Sequence, residues 1–197
     1  MVFMPAFHYH KSEAIIIGRL LAGYGELEFG MCAACGQLIN NLDKSIKAVF
    51  HKRGEAARIT RAYGLGHTAS NKGAYRKVYE RAFAAMRLCL EIRNQYAHCT
   101  WMYGYNRGLR FSDLEEIAND PQKISSPADL TQFIVTEALL LEQETYFLYV
   151  HLLWAYLNFE AQYRARRIST RLVSIPPIVP KPTLRIEAQD KFHLVRG

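Results

Sequence analysis

Apolar residues recur every three or four positions along almost the whole chain, and that spacing confines it to a largely helical fold. After Ser12, a residue suited to cap a helix, the series Ile16, Leu20, Tyr24, Leu27, Met31, Ala34, Leu38, Leu42, Ile46 and Val49 advances only in steps of three or four. Such a series marks one buried helix face. Gly23, Gly25, Gly30 and Gly36 weaken it, and a break or kink is expected near Gly36, because glycine loses the most conformational freedom in a helix. The segment from Arg53 to Ser70 reads as loop-like at its end, where Gly64, Gly66, Thr68 and Ser70 fall. A second long helix is expected from about Asn71, with the stripe Tyr75, Tyr79, Ala82, Met86, Cys89, Arg93 and Tyr96. Six of those seven positions suit a core; the seventh places a guanidinium in line with the buried face, which is costly unless it is paired or directed into a polar cleft.

After His98 the pattern changes. Thr100-Trp101-Met102-Tyr103, a glycine-flanked turn over 104–108, and Leu109-Arg110-Phe111 predict a short hairpin, followed by a short helix from Ser112 to Ala118. Ser126-Pro127-Ala128-Asp129 has the form of a helix start, with a capping Ser, a Pro at the first helical position and an acid at the third. The periodic pattern beyond it continues to about Arg167. A helix of ~40 residues would span roughly 60 Å, longer than one small bundle covers, which points to a partner subunit or a kink. Pro176, Pro177, Pro180 and Pro182 make the remainder an extended arm outside the core. The expected architecture is therefore all-α: long antiparallel helices over residues 12–167 with a hairpin insertion, an N-terminal segment 1–11 and a basic arm 168–197.

Composition narrows the class further. In 197 residues, 50% are hydrophobic and 22% charged, enough for a sizeable core and incompatible with global disorder. The longest apolar stretch, Thr145 to Phe159, contains His151 and Asn158 and is bounded by Glu144 and Glu160; it reads as a buried helix, short of the ~18–20 residues of a membrane span. Four cysteines, with no secretory leader pattern, predict reduced thiols in a cytoplasm. The net charge of +7 is unevenly placed. From Arg164 onward eight Lys/Arg face two acids; residues 44–87 hold eleven Lys/Arg against two acids; residues 113–144 hold eight acids against one Lys. Either the opposed stretches face each other or water, or a basic stretch contacts an anionic polymer. On the second reading Lys72, Arg76, Lys77 and Arg87 are candidate RNA-phosphate contacts, together with the arm.

The residues best suited to chemistry are Arg93-Asn94-Gln95-Tyr96-Ala97-His98. An imidazole can take the proton of a ribose 2′-hydroxyl, and a permanent cation can stabilise the charge that develops on the phosphate. Five residues apart on an ideal helix, Arg93 and His98 point about 140° apart. They converge only if the helix unwinds near His98 or if the site is shared between two chains. An Arg followed by a His at such spacing is common by chance, and Arg61 with His67 also matches. The fuller string, Arg-Asn-x-x-Ala-His, is expected only about 0.002 times in a chain of this composition.

That string at the end of a core helix resembles the signature of the HEPN superfamily, which includes RNA-cleaving toxins and defence proteins. The resemblance covers roughly residues 12–167. It implies a helical bundle pairing as a homodimer, with two motifs facing one another across a cleft. It also implies metal-independent endoribonuclease activity, without a cofactor, that leaves a 2′,3′-cyclic phosphate. In that reading Arg93 holds the scissile phosphate, His98 is the general acid/base and Asn94 orients the site; RNA is the substrate, and toxin or phage-defence biology, with a cognate antitoxin, is the setting. One departure is that toxins of the group silenced by nucleotidylation carry a Tyr two residues after the His, where this chain has Thr100, while Tyr103 is out of register. The alternative is a non-catalytic module of the same fold that binds nucleotide or RNA or serves assembly, with Arg93 paired to an acid such as Glu91 or Glu137 and His98 merely ending the helix. Cys32-Ala-Ala-Cys35 has metal-site spacing but no second pair, so it reads as buried small residues. Glu26 with Glu28, and Glu142 with Glu144, diverge on a helix and make no carboxylate pair.

Overall fold

A computed structural model of the protein describes residues 4–70, 74–104, 108–119, 124–126, 129–165 and 174–188. The chain is mostly helical, with helices α1 (Pro5–Tyr9), α2 (Lys11–Leu38), α3 (Leu42–Phe50), α4 (Glu55–His67), α5 (Ala74–Ala97), α6 (Leu114–Asn119) and α7 (Glu137–Ala165). Among the described residues there are also four short strands: β1 (Cys99–Gly104), β2 (Gly108–Asp113), β3 (Phe133–Val135) and β4 (Ile186–Glu187). Among the described residues no helix is long and apolar enough to cross a membrane. The residues form two compact units, one of Met1–Leu21, Ile92–Glu144 and Pro182–Gly197, the other of Ala22–Glu91 and Thr145–Lys181.

The second unit is a helical bundle. The stripe foreseen on α5 is its spine: Tyr75, Tyr79, Ala82, Met86 and Cys89 are all buried. Tyr75 donates its hydroxyl to the carbonyl of Leu157 at 3.2 Å, while Phe83 meets Trp154 edge-on at 5.0 Å. The contacts run in opposite senses along the two helices, so α5 and α7 are antiparallel here. The expected break near Gly36 falls at residues 39–41, where Asn40 takes a left-handed conformation and Asn41 caps α3 by accepting from the Lys44 N–H at 2.9 Å. Gly36 itself lets the chain return closely: a Cβ there would lie 2.9 Å from the Leu42 Cα. Ser45, fully buried, ties α3 back to α2 by donating to the Cys32 carbonyl at 2.8 Å.

One expectation fails in this unit. Gly64 and Gly66 do not end in a loop; both lie within α4. Gly66 is there because the helix passes close to α5, not because the backbone turns: a Cβ would stand 2.6 Å from the Tyr79 hydroxyl. That hydroxyl donates to the Tyr63 carbonyl at 2.7 Å.

The first unit holds an antiparallel sheet in the order β1-β2-β3-β4. The hairpin foreseen from the sequence is β1 and β2, with Trp101 opposite Phe111 and Gly104 opposite Gly108. Gly108 has φ 72°, a left-handed conformation suited to glycine at the turn exit. Tyr96 stacks on Trp101 at 5.9 Å and meets Phe111 edge-on at 5.5 Å, so the end of α5 and the hairpin share one aromatic cluster.

Two boundaries differ from the sequence reading. The last helix begins at Glu137, not at Pro127: Thr136 caps it, accepting from the Leu139 N–H at 3.2 Å. Phe133-Ile134-Val135, aromatic and β-branched, instead pairs with β2. Pro127 and Ala128, like the predicted helix end at Arg167, lie outside the described residues; Asp129 accepts backbone N–H bonds from Ser125 and Ser126. The C-terminal arm is not wholly separate either. Its prolines end at Pro182, which is buried, and beyond it each residue has an N–H; Ile186 and Glu187 then pair with β3. Two buried amides grip the segment just before: Gln143 donates to the carbonyls of Thr183 (2.9 Å) and Leu184 (3.0 Å), and Gln95 donates to Leu184 at 3.1 Å.

Candidate functional site

The six-residue string closes α5, and the helix sorts its residues by face. Gln95 and Tyr96 turn inward, both buried; Tyr96 donates to Gln143 Oε1 at 2.8 Å, and burial pushes its hydroxyl pKa up. Arg93 and Asn94 are half-buried, and Arg93 Nη1 donates to Asn94 Oδ1 at 3.0 Å. His98 is the first residue past the helix. Its N–H still bonds to the Asn94 carbonyl at 3.0 Å, so helical geometry persists to that point. Its carbonyl accepts from the Leu114 N–H at 3.1 Å, which anchors the start of α6. The imidazole is open to solvent, with the side chain 47% exposed.

That geometry answers the question of convergence within one chain. Because α5 does not unwind before His98, Arg93 and His98 keep their angular separation of about 140° around the axis. The structure brings Arg93 and Asn94 together and leaves the imidazole on another side of the helix end.

A carboxylate lies beside the imidazole. Glu115 Oε1 lies 3.9 Å from His98 Nε2, an ion pair only when the ring is protonated. Asp113 caps α6, its Oδ1 accepting from the N–H groups of Glu115 (3.0 Å) and Glu116 (3.2 Å). Arg185 reaches in from the C-terminal segment, 3.6 Å from Asp113 and paired with Glu116, while its guanidinium lies 4.9 Å above the Phe133 ring. Cys99, next to His98, is no reactive thiol: burial, and then the charge of Asp113, push it up to about 12. Sequence reasoning named neither Glu115 nor Arg185 as neighbours of the motif, although the acidic stretch and the basic arm that carry them were both visible.

The residues proposed to hold RNA divide. Arg76 is committed locally: it donates to Glu80 (2.7 Å), to the His67 carbonyl (2.7 Å) and to Ser70 (3.2 Å), and it also contacts the His67 ring. It thereby satisfies the C-terminal end of α4. Arg87 donates to the Phe83 carbonyl at 3.4 Å and lies 5.9 Å over the Tyr63 ring. Lys77 is exposed, and Lys72 lies outside the described residues. Cys32 and Cys35 are fully buried free thiols, each pushed up to about 12 by burial. Among the described residues no group of three His, Cys, Asp or Glu side chains could hold a metal ion.

Compared with protein-family models, with curated proteins and with solved structures, the chain matches none.

Proposed function

We propose that this chain is a metal-independent endoribonuclease of the HEPN type, acting as a homodimer whose site is composite, in toxin or phage-defence biology. The observation that carries the reading is the solvent-open imidazole of His98 at the helix end, one turn beyond the hydrogen-bonded Arg93–Asn94 pair. In the reaction His98 takes the proton of a ribose 2′-hydroxyl, whose oxygen attacks the adjacent phosphorus. The bond from phosphorus to the 5′-oxygen breaks, that oxygen is protonated, and a 2′,3′-cyclic phosphate remains. Arg93 stabilises the charge on the phosphate oxygens, and Asn94 fixes the guanidinium. A specific observation favours a second reading, a non-catalytic module that binds nucleotide or RNA or serves assembly: within one chain Arg93 and His98 do not share a face.

The test is RNA cleavage in EDTA by the wild type, His98→Ala, Arg93→Ala and an equimolar mixture of the two variants after subunit exchange. Cleavage by the wild type, lost in each variant, supports the enzyme. In a two-fold dimer whose sites take the Arg of one chain and the His of the other, the mixture regains about a quarter of wild-type activity, because half the dimers are mixed and each carries one intact site. No cleavage by the wild type, or full activity in either folded variant, removes the nuclease reading.

A further inference from the structure

Several exposed cations gather on a groove between α3 and α4. Some arginines of the second unit have work within the fold: Arg58 pairs with Glu28 at 3.3 Å, Arg76 with Glu80 at 2.7 Å. Lys44, Lys52 and Arg61 are exposed, and among the described residues their side chains make no ion pair or hydrogen bond. Lys52 and Arg61 line two open concavities of about 590 and 620 Å³, Lys44 lines the second, and the two shared residues join them into one groove.

Helical spacing explains why the groove is basic and why it is open. Lys44, Lys47 and His51 follow one another at steps of three and four, which places them on one face of α3, neighbours roughly 5–6 Å apart. On α4 the steps from Ala57 to Arg61 to Gly64 set a matching face. The groove residues between the cations are small: Ala48, Ala56, Ala57 and Gly64. Among the described residues one acid, Asp43, lines it, and its ion pair with Lys47 at 2.8 Å is largely exposed (72% and 76%). An exposed pair of that kind contributes little, so a phosphate can replace Asp43 as the partner of Lys47. Among the described lining residues there is no Phe, Tyr or Trp, and the ring present is the His51 imidazole. A concave, basic channel suits the sugar–phosphate backbone of a flexible strand, held without reading of its sequence.

We propose that the α3–α4 groove is the RNA-backbone site of this protein, with Lys44, Lys47, Lys52 and Arg61 as its phosphate contacts. The choice of RNA rests on the ribonuclease reading; the groove's capacity for a polyanion does not.

Fluorescence anisotropy with a short labelled oligouridylate tests it. Three to four phosphate contacts give a slope of log affinity against log salt of roughly −2 to −3. The double variant Lys44→Glu/Arg61→Glu is expected to lose at least tenfold in affinity and to flatten that slope by at least about 1. Lys44→Arg/Arg61→Lys, which keeps the charges, retains both, and circular dichroism checks that each variant is folded. A wild type that binds through the groove yet cuts nothing sinks the nuclease reading and leaves the groove standing. The groove is overturned if the double charge-reversal variant binds like the wild type, if the wild type has no affinity for the oligonucleotide at low salt, or if it binds anionic lipid vesicles and not RNA.

Discussion

Alanine at Gly66 and alanine at Gly64 should move stability in opposite directions, though both sit in α4 two residues apart. In an exposed helix, replacing Gly by Ala stabilises by about 0.5–1 kcal/mol. Gly64 meets that case: a Cβ there would have nothing within 4 Å. At Gly66 the new methyl would stand 2.6 Å from the Tyr79 hydroxyl, 3.0 Å from Tyr79 Cε2 and 3.0 Å from Leu38 Cδ1. Tyr79 is fully buried and its hydroxyl bonds to Tyr63 at 2.7 Å, so the ring cannot yield without losing that bond. Overpacking costs about 1–3 kcal/mol and an unmet buried hydroxyl about 1–3 kcal/mol, against a propensity gain of at most about 1 kcal/mol. Gly66→Ala is therefore expected to destabilise by roughly 1–3 kcal/mol while Gly64→Ala stabilises. At about 2–4 °C per kcal/mol for a chain of this size, the melting temperatures separate by roughly 3–16 °C. Urea and thermal unfolding read the gap directly. Adding Tyr79→Phe to Gly66→Ala removes the closest atom, so the two changes together cost at least about 0.5 kcal/mol less than their sum. If Gly66→Ala proves as stable as Gly64→Ala, the close approach of α4 to Tyr79 is not real.

Three further outcomes follow from the packing. Gln143→Leu strands the Tyr96 hydroxyl and releases the carbonyls of Thr183 and Leu184; a loss of roughly 1–3 kcal/mol and faster limited proteolysis within 174–188 are expected, and unchanged cutting would refute the clamp. Thr136→Ala removes the cap of α7 and should cost about 1 kcal/mol in urea unfolding, an effect absent if the helix starts elsewhere. In alkali, Cys32, Cys35 and Cys99 hold their protons up to about 12 in the folded chain against an ordinary value of 9.0. The folded state thus binds more protons than the unfolded one between those limits. The contribution is complete below about pH 9 and is lost as pH rises toward 12; a urea midpoint that holds steady or increases through that window contradicts the burial of the thiols.

The helical periodicity was legible because it is local, and it also concealed a boundary. The step from Leu38 to Leu42 is four residues, as inside a continuous helix, yet it spans the turn at 39–41. Leu42 is consequently 41% exposed, and α3 buries Ser45 and Val49 instead. Glycines misled in the opposite sense. Gly64 and Gly66 suggest a loop when read along the chain, but the cause of Gly66 is a tyrosine thirteen residues away on another helix. Strands β3 and β4 escaped notice for a related reason. Three and two residues carry too little alternation to declare themselves, and each is a strand only through its partner: β3 through β2, and β4 through β3 some fifty residues earlier.

The site was legible in the same partial way, and the missing part was closer to hand than it first looks. Arg93, Asn94 and His98 were found from a contiguous string. Glu115 was not, because it touches His98 across a fold. The hairpin that makes the connection was nonetheless read correctly from its turn residues. Counting outward from Gly104 opposite Gly108, antiparallel pairing places Cys99 opposite Asp113. The residue before Cys99 is His98, and those after Asp113 open α6, so a carboxylate of that acidic turn is bound to flank the imidazole. Register, once a hairpin's turn is known, fixes neighbours at both open ends. Arg185 has no comparable signal: its place beside Asp113 and Glu116 depends on an edge strand held by two buried glutamines, and neither the strand nor the glutamines stands out in a sequence read alone.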